Sequence, residues 1–105
     1  MPNIKLSYLY RDAGNYKSFG EAIFANPADI PLEEILPTLQ SKMIDRQWFY
    51  AKDWGLRDLH FDHWNEELDH GFHEFESLEY CHDPSTSRLS LDSFIESVKR
   101  TNWIY

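Results

Sequence analysis

The residues best suited to chemistry lie in one run, DLHFDHWNEELDHGFHEFESLEYCHD, from Asp58 to Asp83. It holds all five histidines and nine of the eighteen carboxylates, and no lysine or arginine. Imidazole and carboxylate together are the ligand set of zinc, manganese and iron. Spacing decides whether such ligands converge. On a helix His60, His63, Glu67, His70 and Glu74 share one face, whereas on a strand positions three apart point to opposite faces and no cage forms. The run has no HExxH or related zinc-hydrolase pattern. A divalent transition metal on His60, His63, His70 and His73 is therefore the alternative reading, and it requires helix throughout. The simpler expectation is no cofactor, with these histidines on the surface or packed among aromatics.

Catalysis without metal has less behind it. Cys81 and His82 are sequence neighbours, and a nucleophile and its base meet through the fold rather than along the chain. Ser85, Thr86 and Ser87 have the composition of a loop, and YRDAGNY has too few glycines for a phosphate cradle. The expectation is a protein that is not an enzyme.

Charge offers a different use for the same run. Between Arg57 and Arg88 stand nine acids and no fixed cation, a net −9, while the rest of the chain carries nine acids against ten bases. Nearly all of the formal −8 thus lives in one segment. Such a field repels nucleic acid and anionic membrane and steers a basic protein surface inward. Asp62, Glu66, Glu67, Asp69, Glu74 and Glu76 are the expected contacts, and Trp64 is the expected apolar anchor, with Phe72, Phe75 and Tyr80 interleaved. On this reading the chain is a small non-enzymatic binding protein of the inhibitor, immunity, antitoxin or anti-defence type. The competing bland reading is a solvated acidic face that maintains solubility.

The elements that must position these residues can be read from periodicity. IKLSYLY alternates, with Ile4, Leu6, Tyr8 and Tyr10 on one side, and predicts a half-buried strand. DAGN supplies a turn through Gly14 and Asn15, and YKSFGEAIFA returns as a second strand that Gly20 weakens or bulges. Leu32, Ile35, Leu36, Leu39 and Met43 form one helical face after Pro31, with Pro37 calling for a kink or a late start. A short strand is expected at Trp48–Tyr50 and a turn near Gly55. The acidic run is expected to be irregular or helical to about Asp69 and a strand from Phe72 to about Tyr80. Ser90 is expected to cap a last helix with an apolar stripe of Leu91, Phe94, Ile95 and Val98, and Trp103–Tyr105 to fold back on the body.

These elements predict an α+β fold: a small antiparallel sheet opened by the N-terminal hairpin, with two main helices on one face and a core containing Leu6, Tyr8, Leu36, Leu39, Phe94 and Val98. At 105 residues a single domain, 1–105, is expected. One cysteine permits no internal disulfide, and no leader or ~18-residue apolar span is visible, so a reducing, cytoplasmic setting is expected. YLYRDAGNYKSFGEAIF, DLHF and LDHGFHEFESLE resemble the recurring signatures of a family of short, uncharacterised bacterial proteins. That resemblance implies a bacterial or phage origin and carries no activity or site residue with it.

Overall fold

In the computed structural model, residues 2–12, 14–59 and 72–101 are described. Four strands, β1 (Asn3–Arg11), β2 (Lys17–Phe24), β3 (Trp48–Phe49) and β4 (His73–Cys81), form one antiparallel sheet in the order β2-β1-β4-β3. Two helices, α1 (Leu32–Gln40) and α2 (Leu91–Lys99), complete the expected α+β architecture.

β1 follows its alternation except at Leu9, which is also buried. Ile4, Leu6, Tyr8 and Tyr10 are all buried, and they meet Ile35 and Leu39 from α1 and Leu91, Phe94, Ile95 and Val98 from α2. Aromatics fill much of the volume between these layers. Phe24 stacks on Phe94 with ring centroids 4.3 Å apart, and Phe49 stacks on Trp54 at 4.5 Å. Such pairs add specific geometry to the burial of large apolar area.

Several expectations need local correction. At the hairpin turn Asn15, not Gly14, takes the left-handed conformation, with φ 66°, and the Asp12 carboxylate accepts the Tyr16 N–H at 2.9 Å. Gly20 does not bulge β2; its missing side chain makes room for Leu59, whose Cδ2 would lie 2.8 Å from an added Cβ. Helix α1 starts at Leu32 and runs through Pro37, which lies on the exposed side; its carbonyl accepts the Ser41 N–H at 3.0 Å. Leu36 is only half-buried and Ile35 takes the fully buried place. Ser90 occupies the N-cap position of α2 without a side-chain cap; its hydroxyl donates to Ser93 Oγ instead, and the Leu91 N–H donates to the Ala25 carbonyl at 2.7 Å. β3 ends at Phe49, one residue short of expectation, and a 3-10 turn at Ala51–Trp54 follows, closed by Gly55 with φ 68°.

Candidate functional site

β4 carries most of the described part of the acidic, histidine-rich run. It is wedged between β1 and β3, so one face of it must be apolar and the other can be polar. The sequence HEFESLEY does not alternate cleanly, because Phe75 and Leu78 are three apart. A bulge resolves the conflict. Ser7 lies opposite Ser77 and Tyr8 opposite Phe75, which leaves Glu76 as the extra residue with no counterpart in β1. The phase change lets Leu78 and Phe75 both pack on the core and turns Glu76 out to solvent.

The carboxylates of β4 are not as uncompensated as their segment implies. Glu74 holds Arg11 in a forked pair, Nε to Oε1 at 2.9 Å and a terminal nitrogen to Oε2 at 3.3 Å, while the other terminal nitrogen donates to Asn15 Oδ1 at 2.6 Å. Lys5 sits opposite Glu79 in the ladder, with its Nζ 3.7 Å from Glu79 and 3.9 Å from Glu21. The cations come from β1, on the other side of the chain's sequence. Glu76 faces solvent and forms no ion pair among the described residues.

His73 is a core residue. It is 1% exposed and sits among Tyr8, Tyr10 and Phe49, with ring centroids 5.9, 5.3 and 6.2 Å away. Its Nε2 accepts the backbone N–H of Leu59 at 3.0 Å, and the Asp58 carboxylate lies 3.5 Å from the same nitrogen. That lone pair is already engaged, so a metal would have to displace the Leu59 N–H to reach it. Tyr8 anchors the same segment: its hydroxyl donates to the Arg57 carbonyl at 2.7 Å. Burial raises the phenol above its ordinary value, and the nearby Arg57 guanidinium acts in the opposite direction.

Of the residues singled out for binding or metal, Glu74, Glu76 and His73 are placed as above. Asp62, Trp64, Glu66, Glu67 and Asp69, and His60, His63 and His70, lie outside the described residues, as do Trp103–Tyr105. Among the described residues no three His, Cys, Asp or Glu side chains gather closely enough to hold a metal ion. Cys81 is a half-buried free thiol at the end of β4, and His82 is exposed. No protein-family model, curated protein or solved structure matches this chain.

The described surface carries at least two cavities. One of about 790 Å³ lies between α1 and α2, with Glu34, Asp92 and Glu96 facing Lys99 and Arg100. Another, about 700 Å³, is floored by Phe24, Trp54 and Phe94 and rimmed by Arg57, Thr86 and Arg88 beside β2. Arg57 and Arg88 bound the acidic run in sequence, and the fold brings both to this rim. Sequence reasoning did not anticipate that meeting, nor the exposed aromatics of the first hairpin, Tyr16 at 72% and Phe19 at 60% exposure. The available signal was the turn itself, since an aromatic beside a polar turn has little core to enter. No described helix is long and apolar enough to cross a membrane.

Proposed function

We propose that this chain is a small acidic binding protein, of the inhibitor, immunity, antitoxin or anti-defence type, that engages a basic protein partner through the run Asp58–Asp83. The observation that carries this reading is the concentration of nine acids in a run without a lysine or arginine, against a nearly neutral remainder. Glu74 and Glu79 are drawn into pairs with β1. The binding charge is accordingly assigned to Asp62, Glu66, Glu67 and Asp69 with the outward Glu76, and Trp64 is the anchor. The role needs neither a catalytic residue nor a cofactor, and the single cysteine suits a cytoplasmic setting.

The test begins with affinity capture of a partner, followed by binding kinetics at several salt concentrations. Triple replacement of Glu66, Glu67 and Asp69 by lysine should slow association severalfold, and raising salt should slow the wild type likewise. Lysine at Glu33 and Glu34, exposed on α1, should do much less. Unchanged association in the triple variant would leave the run as a solubilising surface and end this reading.

A further inference from the structure

Among the described residues β2 is an edge strand, paired only with β1. The ladder between them begins where the Asp12 N–H meets the Tyr16 carbonyl, so the even-numbered residues of β2 turn their backbone groups toward β1. Odd-numbered residues turn theirs outward. At Ile23 a loop satisfies them: its N–H donates to Thr86 Oγ1 at 2.9 Å, and its carbonyl accepts from Thr86 and Ser87 at 2.9 and 3.2 Å. At Lys17, Phe19 and Glu21 no described residue does the same. All three side chains are exposed, Phe19 by 60%, and Tyr16 beside them by 72%. A row of open backbone groups bearing an exposed phenylalanine is a template for strand addition.

We infer that β2 pairs antiparallel with β2 of a second copy, about a two-fold axis through Phe19. In that register Phe19 faces Phe19, and Lys17 of each copy faces Glu21 of the other. Every outward-facing residue meets an outward-facing residue, as an antiparallel hydrogen-bonded pair requires. Both cross-strand ion pairs have the favourable sign. The neighbouring registers are worse. Sliding two residues one way brings Lys17 to Ile23, whose edge the Thr86–Ser87 loop already holds. Sliding the other way sets Phe19 against Lys17 and leaves both copies of Glu21 outside the pairing. The chosen register also brings Tyr16 of the second copy opposite Ala22, at the mouth of the 700 Å³ cavity beside β2. A self-complementary patch of this kind is what a two-fold interface demands.

A pairing this short belongs with weak, concentration-dependent interfaces. Sedimentation of the whole chain from about 1 µM to about 1 mM tests it. Salt of about 0.15 M, where the Debye length is about 8 Å, limits the general repulsion between two acidic chains. The expected result is a dimer that grows with concentration. Phe19→Pro removes an N–H that the monomer's ladder does not use and should abolish the dimer. Lys17→Glu and Glu21→Lys should each raise the dissociation constant about tenfold, because each change is felt twice across the axis. The double variant should restore most of the loss. A monomer throughout the concentration range would overturn the inference, and so would a dimer indifferent to all of these changes. Should Phe19→Pro fail to fold, as circular dichroism would report, the charge exchange and its rescue decide alone.

Discussion

Glu74 and Glu76 are two glutamates two residues apart on one strand, and deleting them one at a time should have very unequal consequences. Glu76 is the bulged residue, exposed and without a counterpart in β1. Removing it closes the ladder into a regular one in which Ser77 still faces Ser7 and Phe75 still faces Tyr8, with every core residue on its present side. Stability should change by no more than about 1 kcal/mol, the scale of a surface alteration. Removing Glu74 instead leaves the bulge in place and rotates His73 out of the core. The Leu59 N–H then loses its acceptor, at about 1–3 kcal/mol. A ring-sized void opens among Tyr8, Tyr10 and Phe49, worth about 2 kcal/mol or more if it does not collapse. Loss of the partly exposed Arg11 pair adds well under about 1 kcal/mol. The chain could retain His73 by abandoning the bulge, but Glu76 would then enter the core and Phe75 leave it. Either way the cost is about 4 kcal/mol, a large part of the ~5–15 kcal/mol available to a domain. Urea denaturation of the two deletion variants, followed by tryptophan fluorescence and far-ultraviolet circular dichroism, measures the difference. Losses equal to within about 0.5 kcal/mol would refute the assignment of Glu76 as the extra residue.

Truncating Phe94, stacked on Phe24 and 1% exposed, to alanine should cost about 3–5 kcal/mol by the same denaturation measurement, and Leu39→Ala, fully buried, about 2–5 kcal/mol. Gly20→Ala should destabilise by about 1–3 kcal/mol, since the new methyl lies 2.8 Å from Leu59 Cδ2; combining it with Leu59→Ala should cost less than the sum of the two changes. Tyr8→Phe should cost about 1 kcal/mol near neutral pH by losing the bond to the Arg57 carbonyl. Because the folded phenol titrates above its unfolded value, wild-type stability from this group is complete below about pH 10 and falls above it. Urea midpoints of the two proteins should therefore converge as pH rises past that point.

Much of this architecture was legible because it is local. The alternation of Ile4, Leu6, Tyr8 and Tyr10, the stripe of Leu91, Phe94, Ile95 and Val98, and the strand beginning near Phe72 each depend on neighbours a few positions away. What escaped depends on contacts made at a distance. Leu36 and Ile35 lie on one broad apolar stripe, and only docking against α2 and the sheet decides which is central. Arg11 and Glu74 are 63 residues apart, so a charge count confined to a segment could not see their pair. The bulge was visible in principle: the three-residue step from Phe75 to Leu78 breaks a period of two and requires one residue to leave the ladder. His73 follows from the same reasoning, since it shares the phase of Phe75. The remaining candidate residues, from His60 to His70, lie outside the described chain.

The strand order has a consequence for how the chain is made. β1 emerges first and finds β2 at once across a short turn, but its other edge is completed by β4, and Asn3 reaches the Asp83 carbonyl 80 residues later. Closure of so long a loop is entropically slow. Until β4 arrives, the nascent hairpin presents Ile4, Leu6, Tyr8 and Tyr10 on one face and open backbone groups along both sides. Lys5 and Arg11, which later serve as partners for Glu79 and Glu74, are during that interval like charges spaced along an exposed strand. They disfavour pairing of two such hairpins through their β1 edges until β4 arrives.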